Sequence, residues 1–221
     1  MCIRDRLFTF QQGSLDLNGK TLTCGSFYSN YNNTRVLGFG TNGKIVCTIS
    51  NTTAFICANA GTLTLSGTGT VDMQGTTAKS FRGGDIAYPF TLNQGGAGDL
   101  TVTGSNTFAD ITATARPSTI KLTAGTTQTL TAMTLSGIDG SLVSLQSATP
   151  GTQATLSDSS GTNSLSYVRV QDIACTGGAT WNAFLTDGCI SDGGNTGIDF
   201  FLQTGEFMYG RRKGKRLLIS R

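Results

Sequence analysis

Histidine is absent from the 221 residues, and glutamate occurs once, at Glu206. Every histidine-based triad and every histidine metal site is thereby excluded. Charged side chains make up 13% of the chain, where a soluble domain usually has ~25%. Proline occurs three times and tryptophan once. No run of ~18 apolar residues, the length of a membrane-crossing helix, is present. A shortage of glutamate and lysine beside 36 threonines argues against a helical bundle or coiled coil. Threonine, 30 glycines and 19 serines together supply 85 of the 221 residues.

Such a composition could describe a flexible tract. Hydrophobic residues nevertheless amount to 38%, are spread evenly and fall in alternating pairs, which predicts a folded β chain. Charge is placed unevenly. Residues 7–210 hold 8 Lys+Arg and 12 Asp+Glu, a net of −4, whereas residues 211–221 hold 6 Lys+Arg and no acid. A mildly acidic body offers no case for a nucleic-acid groove.

Short apolar alternations end in Gly, Asn, Asp or Ser throughout: Leu15 and Leu17 before Asn18 and Gly19, Leu63 and Leu65 before Ser66 and Gly67, Leu100 and Val102 before Thr103 and Gly104. Strand starts at Leu22, Ile45, Leu63, Leu100, Ile120, Leu142 and Leu165 suggest a recurrence of one coil of a parallel β-helix. The expected fold is all-β, a single-stranded parallel β-solenoid over residues 7–175, with an antiparallel β-sandwich as the alternative. Residues 176–201, Gly-rich around Trp181, are expected as loops capping the last coil, and residues 202–221 as a basic tail. Residues 1–6 (MCIRDR) resemble the translation of a sequencing-library adaptor end, so the natural chain is expected to start upstream and the lack of a signal peptide says nothing about secretion.

Two stretches carry a resemblance. One is residues 13–27 (GSLDLNGKTLTCGSF) with 33–40 (NTRVLGFG); the other is residues 166–172 (SYVRVQD) running into 176–183 (TGGATWNA) and 192–197 (DGGNTG). Both resemble the β-solenoid, fibre-like structural proteins of tailed bacteriophages and related bacterial surface proteins. The resemblance implies a virion-associated or surface-exposed structural and binding role, with other virion subunits or a host-surface glycan or protein as partner. A secreted adhesin fragment and a glycan-cleaving β-helix are the alternatives. A fold by itself implies no activity.

Glycan-cleaving β-helices need clustered carboxylates, or Asp clusters holding calcium beside a basic residue. Asp16, Asp72, Asp85, Asp99, Asp110, Asp139 and Asp158 are scattered and mostly turn-like, and the nearest set is Asp187, Asp192 and Asp199. No catalytic, cofactor or metal residue is therefore assigned, and the chain is expected not to be an enzyme. Cys24 and Cys47, 23 residues apart, read as small hydrophobes in a ladder. Cys175 and Cys189 flank the Trp181 loop, and a disulfide between them would close the cap and add ~3 kcal/mol in the chain-entropy model. Gly83 with Gly84, and Gly95 through Gly98, are expected as loops bulging from the coils. Tyr28 and Tyr31, among Ser29, Asn30, Asn32 and Asn33, form a polar-aromatic loop suited to sugar or protein contact. Arg211, Arg212, Lys213, Lys215 and Arg216 would contact an acidic partner or nucleic acid, or remain a solvated end.

Overall fold

The computed structural model describes residues 2–50, 52–84 and 86–202. These form a β-solenoid of about eight turns. Every pairing between named strands is parallel, so the antiparallel alternative falls. Among the described residues there is no α-helix, only the short 3-10 turns Ala60–Thr62 and Leu185–Asp187. No helix there is long and apolar enough to cross a membrane.

The strand Thr21–Ser29 shows how the coils are built. Its first half, through Cys24, pairs with Arg35–Cys47; its second half, from Phe27, pairs with Thr52–Cys57. The chain turns a corner between the two halves, at Gly25 and Ser26, and each half founds a separate column. One column runs Leu22, Ile45, Val71, Leu92, Ile111, all buried. The other runs Phe8, Phe27, Phe55, Phe81, Val102, Leu122. Side chains alternate across each strand, so Val143, Leu145 and Ser147 point inward while Ser144 and Gln146 are half-buried.

Phenylalanine adds a stacked column to the Leu, Ile, Val and Cys that make up most of the core. Phe27, Phe55 and Phe81 stack with ring centroids 5.1 and 5.0 Å apart and planes 13° and 6° from parallel. Tyr88, Phe90 and Phe108 close around Phe81 edge-on, at 5.3 to 6.4 Å. Parallel in-register stacking makes this natural, because the same side chain recurs directly above itself in successive coils. Polar ladders also run through the stack. Asn93 donates to Asp72 at 2.8 Å and accepts from Thr112 at 3.0 Å, and Asn106 donates to Gln128 at 3.0 Å.

Three expectations are corrected. First, the single recurrence mixed different faces: Leu63 lies above Arg35, Leu142 is out of phase with inward Val143 and Leu145, and Leu165 belongs to a column with Ala183. Second, residues 176–201 are not capping loops. They hold the strands Thr180–Phe184, Ile190–Ser191 and Asp199–Phe201, stacked in register on earlier coils. Trp181 sits directly above Asn163, 3% exposed, with Nε1 donating to the Thr176 carbonyl at 3.3 Å. Third, Gly95 through Gly98 do not bulge: a Cβ on Gly98 would lie 2.0 Å from the Thr77 backbone, so this corner lies flush on the coil before it. At the other end, Cys2–Thr9 pairs with Thr21–Ser29, with a register shift between Ile3 and Leu7.

Candidate functional site

Three successive coils leave the phenylalanine column at the same corner. The strands Thr21–Ser29, Thr52–Cys57 and Lys79–Arg82 end one above another, with Ser29 over Cys57 and Ile56 over Arg82. The segments that follow, 30–34, 58–62 and 83–84, frame a groove of about 540 Å³. Asn30, Asn32, Asn59, Thr62 and Arg82 supply its polar lining, with Ala58 and three glycines between them. Two further grooves, beside Asp16 and beside Thr107, measure about 360 and 330 Å³.

The groove is held from beneath by Arg35. This side chain is fully buried, at 0% exposure. Its Nε donates to the Asn33 carbonyl at 3.2 Å, and its Nη1 to the Ser29 carbonyl and hydroxyl, both at 2.7 Å. Its Nη2 reaches the carbonyls of Ala58 and Asn59 at 2.9 and 3.0 Å and the Thr62 hydroxyl at 3.3 Å. The guanidinium fork thus ties the loops of two coils together. All of these acceptors are neutral, and among the described residues no carboxylate pairs with Arg35. Buried cations normally have such a partner. Asn59 adopts a left-handed φ of 65°, and its amide donates to Asn30 at 3.1 Å, closing the loops against each other. At Gly83 a Cβ would lie 1.7 Å from the amide oxygen of buried Asn106, so a larger residue there would have to displace that side chain.

The polar-aromatic loop therefore meets the groove through its amides. Asn30 and Asn32 line it, while Tyr28 and Tyr31 stand beside it with rings edge-to-face at 5.6 Å. Neither ring lines the groove. Tyr31 joins the wall through its backbone, accepting from Thr62 at 3.3 Å. Sequence reading missed Arg35, Asn59, Thr62 and Arg82. The signal available was Arg82 directly before two glycines, at the end of an alternating run.

The carboxylates are dispersed in structural roles. Asp72 pairs with Lys44 at 2.7 Å, Asp99 with Lys121 at 2.6 Å, and Asp192 with Arg169 through two bonds of 2.8 and 2.9 Å. Asp158 accepts from Asn163 at 2.9 Å, and Asp172 from the Gly151 amide at 2.9 Å. Asp16 caps its own turn by accepting from Asn18. Among the described residues no cluster of three His, Cys, Asp or Glu side chains could hold a metal ion.

Cys175 and Cys189 are not joined; both are buried free thiols. Cys175 lies above Leu156 in one column, whereas the Cys189 thiol donates to the Leu165 carbonyl at 3.2 Å. Burial pushes Cys175 up to about 12. Cys24 and Cys47 are register partners, both fully buried, as a ladder of small hydrophobes requires. Lys79 is the one lysine drawn inside among the described residues. It is 3% exposed, its ammonium donates to the Gly98 carbonyl at 2.8 Å, and burial pulls it down to about 8 against the opposing fields of Asp99 and Asp72. Arg211, Arg212, Lys213, Lys215 and Arg216 lie outside the described residues. Comparison with protein-family models, curated proteins and solved structures found no match to this chain.

Proposed function

We propose that the protein is a non-enzymatic structural and surface-binding solenoid, a fibre-like or capsid-associated virion component of a tailed phage, which meets a host-surface glycan or a neighbouring protein at the Arg35-supported groove. The observation that carries this reading is the groove itself. It combines an amide lining with loops fixed by a buried guanidinium, and fixed loops lose little entropy on binding. The dispersal of the carboxylates into ion pairs and turns supports a binding role over a hydrolytic one. A secreted bacterial adhesin would use the same groove, and the genes beside this one separate the two: terminase and portal genes favour the virion, secretion genes the adhesin. The basic run from Arg211 to Arg216 is proposed to dock on an acidic virion subunit or packaged nucleic acid.

The test is attachment of labelled full-length protein to a panel of bacterial cells, with Asn32→Ala and Arg82→Gln beside the wild type. Attachment weakened by either variant supports the reading. Attachment unchanged in both removes the groove from it. Release of reducing sugar from capsular polysaccharide would replace binding with catalysis.

A further inference from the structure

The groove is electrostatically one-sided. Arg82 is exposed and, among the described residues, makes neither an ion pair nor a hydrogen bond. Arg35 lies beneath the same loop with only neutral acceptors, so its charge is solvated by dipoles and not cancelled. A charge held in a low-dielectric interior acts over a longer distance than one in water. Among the described residues no carboxylate lines the groove; Asp85, next to Gly84, lies outside them. This positive spot sits on a body of net −4 over residues 7–210, so it is a local feature and not part of a basic face.

The remaining lining is chemically specific. Asn32 offers a donor and an acceptor, the pairing that adjacent sugar hydroxyls satisfy, and the bonded Asn30–Asn59 pair leaves the Asn30 amide and the Asn59 side-chain carbonyl for the same use. Among the described residues no aromatic ring lines the groove to stack a nucleobase. Its volume of about 540 Å³ falls in the ~300–1,000 Å³ range of small-ligand sites.

We infer that the groove binds an acidic saccharide, a sugar unit carrying a carboxylate or sulfate, with the anion on Arg82 and its hydroxyls on the asparagine amides. The inference rests on the groove being the contact site and adds the class of ligand. Arg35 acts as a positioning residue, fixing the loops and biasing the site toward negative charge.

The experiment measures binding of full-length protein to galacturonate oligomers and sialylated trisaccharides, each beside its neutral counterpart (methyl ester or asialo form), with inorganic phosphate as competitor. The basic tail is common to every variant, so the change from wild type to Arg82→Gln, and not the acid preference alone, isolates the groove. At least one acidic sugar should bind about tenfold more tightly than its neutral form, and Arg82→Gln should erase that difference. Asn32→Ala should weaken acidic and neutral forms alike and keep the preference. Equal binding of acidic and neutral forms, or an acid preference unchanged in Arg82→Gln, overturns the inference. Phosphate competing as well as the sugar acid overturns it too, since the amides would then contribute nothing. Neutral-sugar binding that Asn32→Ala weakens would leave the contact site standing without its acid preference. Failure of the wild type to bind any of these sugars, with cell attachment unchanged in both variants, would remove both.

Discussion

The ring of Phe55 lies on that of Phe81 with centroids 5.0 Å apart and planes 6° from parallel, and both side chains are fully buried. Phe55 is stacked on its other side by Phe27, at 5.1 Å. Truncating it opens a cavity between two coils that cannot collapse without breaking register. Phe55→Ala should lower stability by about 3–5 kcal/mol, and Phe55→Leu by clearly less. Urea unfolding of the two variants checks this; a wild-type midpoint for the alanine form would mean the column is not the core.

Arg35 makes a different prediction, because its loss leaves the buried Ala58 carbonyl without this donor, while the Ser29 and Asn59 carbonyls keep the backbone amides of Ala58 and Thr62. An orphaned buried group costs about 1–3 kcal/mol. Arg35→Met should loosen the loop at 58–62, read as faster amide exchange there than in the Phe81 strand. Arg35→Lys should restore only part of the protection, since an ammonium cannot span both loops as the planar fork does.

Lys79 links stability to pH. Its folded value of about 8 lies below the 10.5 of the free side chain, so between those limits the unfolded chain holds a proton that the folded one has released. The penalty for burying the ammonium is therefore full below pH 8 and fades as pH rises toward 10.5. Lys79→Met should be more stable than the wild type at pH 7, and the gap should narrow across that window. Buried thiols slope the other way above pH 9, because burial pushes Cys57 and Cys175 up to about 12 in the fold. The comparison with Lys79→Met cancels them. A gap that stays constant with pH would show that Lys79 keeps its charge throughout.

The thiols themselves should be silent in the folded protein. Cys24, Cys47, Cys57, Cys175 and Cys189 are buried and free. Alkylation followed by peptide mapping should find all five unmodified under native conditions and modified in denaturant without any reductant. A Cys175–Cys189 peptide that appears only after reduction would contradict the structure.

Trp181 is the single tryptophan and is 3% exposed, so its emission reports one coil. We expect blue-shifted native fluorescence that moves red in a single step with urea. Trp181→Ala should cost about 3–5 kcal/mol. Trp181→Phe, which loses the bond to the Thr176 carbonyl and part of the ring volume, should cost less than the alanine form but more than the ~1 kcal/mol of the bond alone.

The fold was legible because alternation and Gly- or Asn-marked corners are local signals. Gly104 and Gly67 do sit at positive φ, as the turn chemistry requires. Face assignment was not legible. Leu22 to Ile45 and Leu100 to Ile120 are true single-coil steps, but Ile45 to Leu63 crosses from one face to another. Each coil passes several faces, and apolar alternation looks the same on all of them. The groove was half-legible: its asparagines stood in a recognisable polar loop, while Arg35 reads in sequence as an ordinary surface charge. Only stacking reveals that the carbonyls of Ala58 and Asn59 converge on it.

The spacing of the phenylalanine column is uneven. Phe27 and Phe55 are 28 residues apart, whereas Phe81 and Val102, one coil later, are 21 apart. Both steps advance the stack by one strand spacing, and the extra residues stay in the ladder: residues 35–38 pair in register with 63–66 before the chain reaches Ile45 and Val71. The groove lies where this additional stretch of strand begins, at Arg35. The outline of that corner is thus set by paired backbone as much as by loop, and a residue inserted there would shift a register and not merely lengthen a bulge.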